Sequence, residues 1–396
     1  NTTNAGARPY FVVEYRNSAG LESYYTYQTH SIDRAGTGYI GDYSGQLTLV
    51  KNDVSSASTS NPVAINHVYN SAYSKAASSA INAVTETYGC MGVGRGWMLD
   101  IQQAIIPGNT GYLIYFDGDG TVHYFQGSGT QYTDEDGLGL TITKSGTNYT
   151  LKDKKDNISY FSDGLLSYTQ DANGNKVTYV RDSDNVILSV TRQNSGGSVE
   201  TIATFTYDSF GNISTITDSA NNTTTFNYSG TDILSGVTHA DGTSVSYTYD
   251  ANGKLLSATD NESGYSMNYE YDANTGKVKK FYEVAGGTTG AIVEAEGAFT
   301  GIQTYRYCGP DRVLGNSDDI VSHSVMDYFG RTTSSYSTNY DGTLVYGASA
   351  TAYNANTGTS ATNNRALIST QTGVQSVNLL GYPSVEGTSN MDTAGW

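Results

Sequence analysis

The residues best placed to do chemistry are tyrosine–aspartate pairs. Tyr207, Tyr228, Tyr249 and Tyr271 recur at intervals of 21, 21 and 22 residues. Asp208, Asp250 and Asp272 follow three of them, and Gly211, Gly253 and Gly276 come a few positions later. A phenol beside a carboxylate could transfer protons or bind a metal ion. A repeated Asp-x-x-Gly has a simpler use, since the carboxylate accepts backbone N–H groups one or two residues on and the glycine takes a positive φ. Turn formation explains why the pattern recurs, whereas a reactive site needs no copies. We therefore assign Tyr207, Asp208, Gly211, Tyr249, Asp250, Gly253, Tyr271, Asp272 and Gly276 to structural turns, with no catalytic residue among them.

The other reactive types give weaker patterns. "GPDRVLGNSDD" gathers Asp311, Asn316, Asp318 and Asp319 on a glycine-rich loop. Such oxygen donors could hold calcium, although the spacing is not that of a helix–loop–helix site. The histidines His30, His67, His123, His239 and His323 are scattered without metal-ligand spacing. His67 and His123 sit in strand-like runs among aromatics and read as packed side chains. "GCMGVGRG" lacks the strand-then-helix context of a phosphate loop and reads as a glycine-rich connector. Cys90 and Cys308 read as two separate thiols, with a single long-range disulfide as the other outcome. No resident cofactor is expected.

The elements that carry these residues are short strands. The 396 residues include 45 Gly and 34 Tyr but only 5 Pro. Tyrosine has an apolar ring with a wet tip and suits a sheet with one hydrated face. In "SYTYDANGKLLSATD" Tyr247 and Tyr249 share a strand face, "DANG" turns, and Lys254 to Thr259 form the return strand. One unit is strand, turn, strand, and stacked units bury their tyrosine and leucine rows. The fold class is all-β: repeated antiparallel hairpins forming a curved or spiralling sheet, a barrel-like shell.

Four stretches follow. Residues 1–107 are a β-rich pre-repeat region that caps the body, with a hairpin around "NSAG", strands at "GQLTLV" and "PVAINHVYN", a helix at "YSKAASSAINAVTETYG", and a long strand opened by Trp97. Residues 108–345 are the repeat body. Residues 346–372 lack sustained alternation and read as a linker or strap, and 373–396 begin a further module. The formal charge of −17 repels nucleic acid and anionic membrane surfaces. No run of about 18 apolar residues is present, so no membrane insertion is expected.

"YDANGKL", "YDSFGNI", "YDANTGKV" and "MDYFGRT" resemble the YD repeats of RHS proteins, and "INHVYN", "GRGWMLD" and "YRYCGPDR" resemble the Gram-positive branch of that family. The final "NLL…PSVE…AGW" resembles the start of a carbohydrate-binding jelly roll. The RHS resemblance implies a hairpin ribbon spiralling into a hollow shell on a bacterial surface or in secretion, often around a toxin or other protein cargo. The expected function is a non-enzymatic extracellular scaffold enclosing or displaying a protein. Two alternatives remain: an adhesin binding cell-wall or surface glycan, and a carbohydrate-active enzyme.

Overall fold

The computed structural model describes residues 20–58, 61–74, 92–296, 302–327, 329–353 and 366–372. Most of the expected helix, Cys90, most of the "NSAG" hairpin and the final module lie outside them.

Twenty-nine strands are present among the described residues, all paired antiparallel. The first five form a meander: β1 (Tyr27–Ser31), β2 (Thr37–Gly41), β3 (Leu47–Ser56), β4 (Val63–Asn70) and β5 (Trp97–Leu99). All later strands, from Ala104–Pro107 to Ala366–Thr372, form one ribbon in which each strand pairs with its sequence neighbours. The first eight, ending at Leu165–Gln170, close into a barrel. The seam is small. Leu165 pairs with Ala104, Ile105 donates to the Gly164 carbonyl at 2.8 Å, and Leu166 donates to that of Gln103 at 3.1 Å. The ribbon then continues past the seam.

Trp97 opens two short strands and not one long strand. The chain breaks at Asp100, whose carboxylate accepts the Asn66 backbone N–H at 3.0 Å and its side-chain amide at 2.5 Å. Those bonds turn the chain out of the meander and into the ribbon. The described parts of 346–372, residues 346–353 and 366–372, likewise differ from a linker. Val345–Tyr353 pairs with both Thr332–Asn339 and Ala366–Thr372. Ser, Ala and Thr on both faces of Val345–Tyr353 gave no alternation of polarity, yet the backbone pairs all the same.

The barrel is filled by alternate side chains, among them Ile105, Leu113, Phe125, Ile142, Phe161 and Leu166. Tyr179 packs against this cluster and against the main core, so the inner face of the barrel runs on into the later ribbon. There it is covered by the meander. Ile40, Leu49, Ile65, Tyr69, Trp97 and Leu99 share one core with ribbon residues from Val177 to Tyr305. The N-terminal region therefore packs on the face of the ribbon; it was expected to cap its edge.

This packing depends on irregular strand pairing. Tyr249 pairs with Leu255 while Thr248 pairs with Ser257, which leaves Leu256 as a bulge. The same shift occurs at Tyr207, Tyr228 and Tyr271. Each bulge frees backbone groups at the start of the return strand, and a buried free N–H is costly. The N-terminal region supplies acceptors. Ile213 donates to the Gly92 carbonyl and Val278 to that of Gly45, both at 2.9 Å. Leu255 donates to the Tyr69 hydroxyl at 2.9 Å. "GVGRG" is thus a strap laid across successive hairpin ends, and a Cβ at Gly94 (φ +116°) would lie a tight 3.1 Å from Leu234 N.

Gly253 tests this close approach. Its φ is +78°, and a Cβ there would lie 2.6 Å from the Ser74 carbonyl oxygen and 2.7 Å from Arg95 Cδ. Gly242 has φ +84° but open space. Gly242→Ala should cost about 1–2 kcal/mol from backbone strain alone. Gly253→Ala should cost clearly more, read as a larger drop in thermal midpoint; equal drops would mean the strap yields freely.

Candidate functional site

The predicted turn residues lie at hairpin ends. Asp250 Oδ1 accepts the N–H groups of Asn252 and Lys254, both at 2.8 Å, and Gly253 donates to the Asp250 carbonyl. Asp208 does the same with Phe210 and Asn212, and Gly211 has φ +83°. Asp272 holds a loop one residue longer through Asn274 and Thr275, with Gly276 at φ +68°.

The loop recurs where no tyrosine precedes the aspartate. Asp153, Asp171, Asp182, Asp218 and Asp327 each accept N–H groups two and four residues on. The fourth position has positive φ throughout: Asp156, Gly174, Asn185, Asn221 and Gly330. Tyrosine spacing hides these copies. The legible signal is Asp followed four residues later by Asn, as at Asn157, Asn175, Asn212 and Asn222, whose amides donate back to the carboxylate. At Asp171 the Asn175 amide and then the backbone N–H groups hold the carboxyl below its usual range. At Asp208 burial works the other way, but the Asn212 amide and backbone donors outweigh it.

The tyrosines link units together. Tyr228 donates to the Ile213 carbonyl at 2.9 Å, Tyr249 to Leu234 at 2.6 Å and Tyr271 to Leu255 at 2.9 Å. Each hydroxyl thus reaches the start of the previous unit's return strand. Tyr207 reaches Ile187 at 2.5 Å. Burial raises the pKa of all four phenols, so they remain protonated hydrogen-bond donors.

Two histidines form polar clusters. His67 Nδ1 lies 2.8 Å from both Asp53 oxygens, and Nε2 lies 2.9 Å from the Tyr247 hydroxyl. The His67 and Asp53 side chains are fully buried, which closes this triad to any substrate. His123 stacks on Tyr115 with ring centroids 5.5 Å apart. Its Nε2 lies 3.1 Å from Glu22 and 3.7 Å from Asp117, and its Nδ1 lies 3.3 Å from Asp136. Tyr115 and Asp117 also line an open cavity of about 450 Å³ at the barrel rim, with Asp153, Asp171, Asn157 and Asn175. Those last four residues are engaged in the turn bonds described above.

A family model described as Teneurin YD-shell matches residues 144–381, more than half of the chain. The chain belongs to the Teneurin YD-shell family. Its all-β ribbon is a β-shell scaffold. No curated protein matches the chain. Among solved structures, it is similar to the one titled "Crystal Structure of TcdB2-TccC3-TEV", at 11% identity and a TM-score of 0.36, covering 86% of this chain and 21% of that one. "Crystal Structure of TcdB2-TccC3-Cdc42" gives 12% and 0.26, covering 84% of this chain and 17% of that one. "Crystal Structure of TcdB2-TccC3" gives 13% and 0.26, covering 87% and 18%. The YD shell thus spans about a fifth of the length of these chains.

The glycine-rich acidic loop of the YD shell spends its donors internally. Asp311 accepts from Val313 and from the Asn316 amide. Asp318 is exposed, whereas Asp319 is buried, accepts from Gly315 at 2.6 Å and lies 4.0 Å from Arg306. Among the described residues no group of three His, Cys, Asp or Glu side chains is arranged to hold a metal ion. Cys308 is a free, half-buried thiol whose sulfur accepts the Ile292 N–H.

Two outcomes follow for the YD shell. Tyr249 also accepts the Trp97 indole N–H at 2.8 Å, so Tyr249→Phe leaves that buried donor unpaired. It should cost about 1–3 kcal/mol in denaturant unfolding. The aspartate turns set a pH dependence. Their carboxyls titrate lower folded than unfolded, so their stabilisation is present above about pH 4 and lost as pH falls further. The thermal midpoint should drop below pH 4, and replacing Asp153, Asp171, Asp208 and Asp218 by Asn should flatten that drop.

Proposed function

We propose that this chain is the plugged end of a non-enzymatic extracellular shell whose ribbon, farther along, encloses a protein cargo. One observation supports the reading above others. The meander fills the inner face of the ribbon as far as Tyr305, and past that point the same face changes character. Ser324 still reaches Asp42 of the N-terminal region at 3.2 Å. Its cross-strand neighbour Ser335 meets only Ser349, hydroxyl to hydroxyl at 2.7 Å, and Gly347 beside them has open space above it. A wall that begins as packed aliphatic core thus becomes a hydroxyl surface that no core cluster of the described residues covers. Such a surface neither demands a fixed partner nor binds one tightly, which suits a chamber.

The test uses the natural full-length protein. After limited proteolysis under native conditions, a shell-sized fragment should co-elute with a protected polypeptide from elsewhere in the chain. That polypeptide should become degradable once the shell is unfolded. A shell fragment that elutes alone, with the remainder digested at once, would overturn cargo enclosure.

A further inference from the structure

We propose that the segment from Gly20 to Thr26 is a proton-gated strap, held to the barrel rim through His123 in acid and released in mild alkali. The segment enters over the hairpin turn at Asp117–Thr121. Gly20 has φ +93°, and a Cβ there would collide with Thr121 Oγ1. Leu21 N–H donates to Asp119 Oδ2 at 2.7 Å, and Asp119 Oδ1 is fixed by the Thr121 N–H at 2.9 Å and hydroxyl at 2.6 Å. Glu22 N–H donates to the Tyr27 hydroxyl at 2.7 Å, while its side chain, 8% exposed, reaches His123. Tyr25, stacked on Tyr43 at 5.9 Å, is the buried apolar anchor. The rest of the attachment is polar.

The charges around His123 come from every side. Glu22 faces it from the strap, Asp117 from the turn below, and Asp136 from the loop after Gln131–Asp134, with the Tyr115 ring beneath, while Asp119 acts on Glu22. Asp134, next to that loop, spends its carboxylate on the N–H groups of Leu138, Gly139 and Leu140. Three carboxyls converge on a single imidazole, so docking of the strap depends on the protons that the cluster holds. Burial pushes Glu22 up to about 8, with His123 opposing and Asp136, Asp117 and Asp119 adding to it. Burial alone would lower His123, but hydrogen bonds to Asp117 and Asp136 and the charge of Glu22 raise it to about 10. His123 Nδ1 faces Asp136 and Nε2 faces Glu22.

The direction follows from proton linkage. An undocked Glu22 returns to the ordinary range near 4.5. Between that value and about 8 the docked strap binds more protons than the free one, so docking weakens as pH rises. His123 keeps Asp117 and Asp136 beside it whether or not the strap is docked, so the pH dependence of docking is carried by Glu22. Glu22 favours the closed strap in mild acid.

Backbone hydrogen exchange on the full chain reads this directly. With intrinsic exchange divided out, protection at Leu21, Glu22 and Tyr25 should fall at least ten-fold between pH 6 and pH 9.5. Amides of the distant strand Ser244–Tyr249 should hold constant. Glu22→Gln keeps the shape and an acceptor but removes the titrating acid, so its strap should stay protected through pH 9. Asp136→Asn leaves Glu22 in place and should move the loss of protection to lower pH. Flat protection in the wild type overturns the proposal. So does a Glu22→Gln strap that opens over the same range as the wild type.

Discussion

The structure depends on one backbone irregularity. Each repeat tyrosine sits at a bulge, and each bulge leaves the start of a return strand without its regular partner. Left in a buried sheet, those groups would oppose folding. They are instead taken up from two sides, by the N-terminal segments at Gly45, Tyr69 and Gly92 and by the tyrosine hydroxyl of the following unit. The irregularity that would weaken a plain hairpin is what joins ribbon to meander and unit to unit. Lone hairpins are marginal in water, and here none is asked to stand by itself.

This division of labour explains why tyrosine and aspartate recur together yet act separately. Aspartate works within its own loop and needs only four residues of context. Tyrosine works between units, with its ring in the core and its hydroxyl on a neighbour's carbonyl. Phenylalanine could supply the ring but not the hydroxyl bond, and this accounts for the excess of tyrosine over phenylalanine in the chain.

Local chemistry was legible in the sequence for the same reason. Asp250, Asn252 and Gly253 contact each other within five residues, so their turn could be read directly. The alternation of Tyr247 and Tyr249 gave the buried face. The His123 cluster could not be read, because Glu22, Asp117 and Asp136 come from three separate stretches and meet only after the barrel has closed. Nor could the break after Leu99, which is imposed by Asn66 on a neighbouring strand. The strand at Val345–Tyr353 was hidden because Ser, Ala and Thr stand on both its faces and show no polarity contrast. Periodicity reports burial, and it falls silent where a strand is paired but uncovered.

The small seam between Leu165 and Ala104 has a wider consequence. A barrel joined along whole strands fixes its strand number, and one hairpin more or less would break the join. Here the first ring is tacked shut at a single point and the chain then advances like a screw thread. Inserting or deleting one repeat downstream would lengthen or shorten the thread without disturbing the ring. The length of the ribbon can therefore change by whole hairpins while the first ring stays the same.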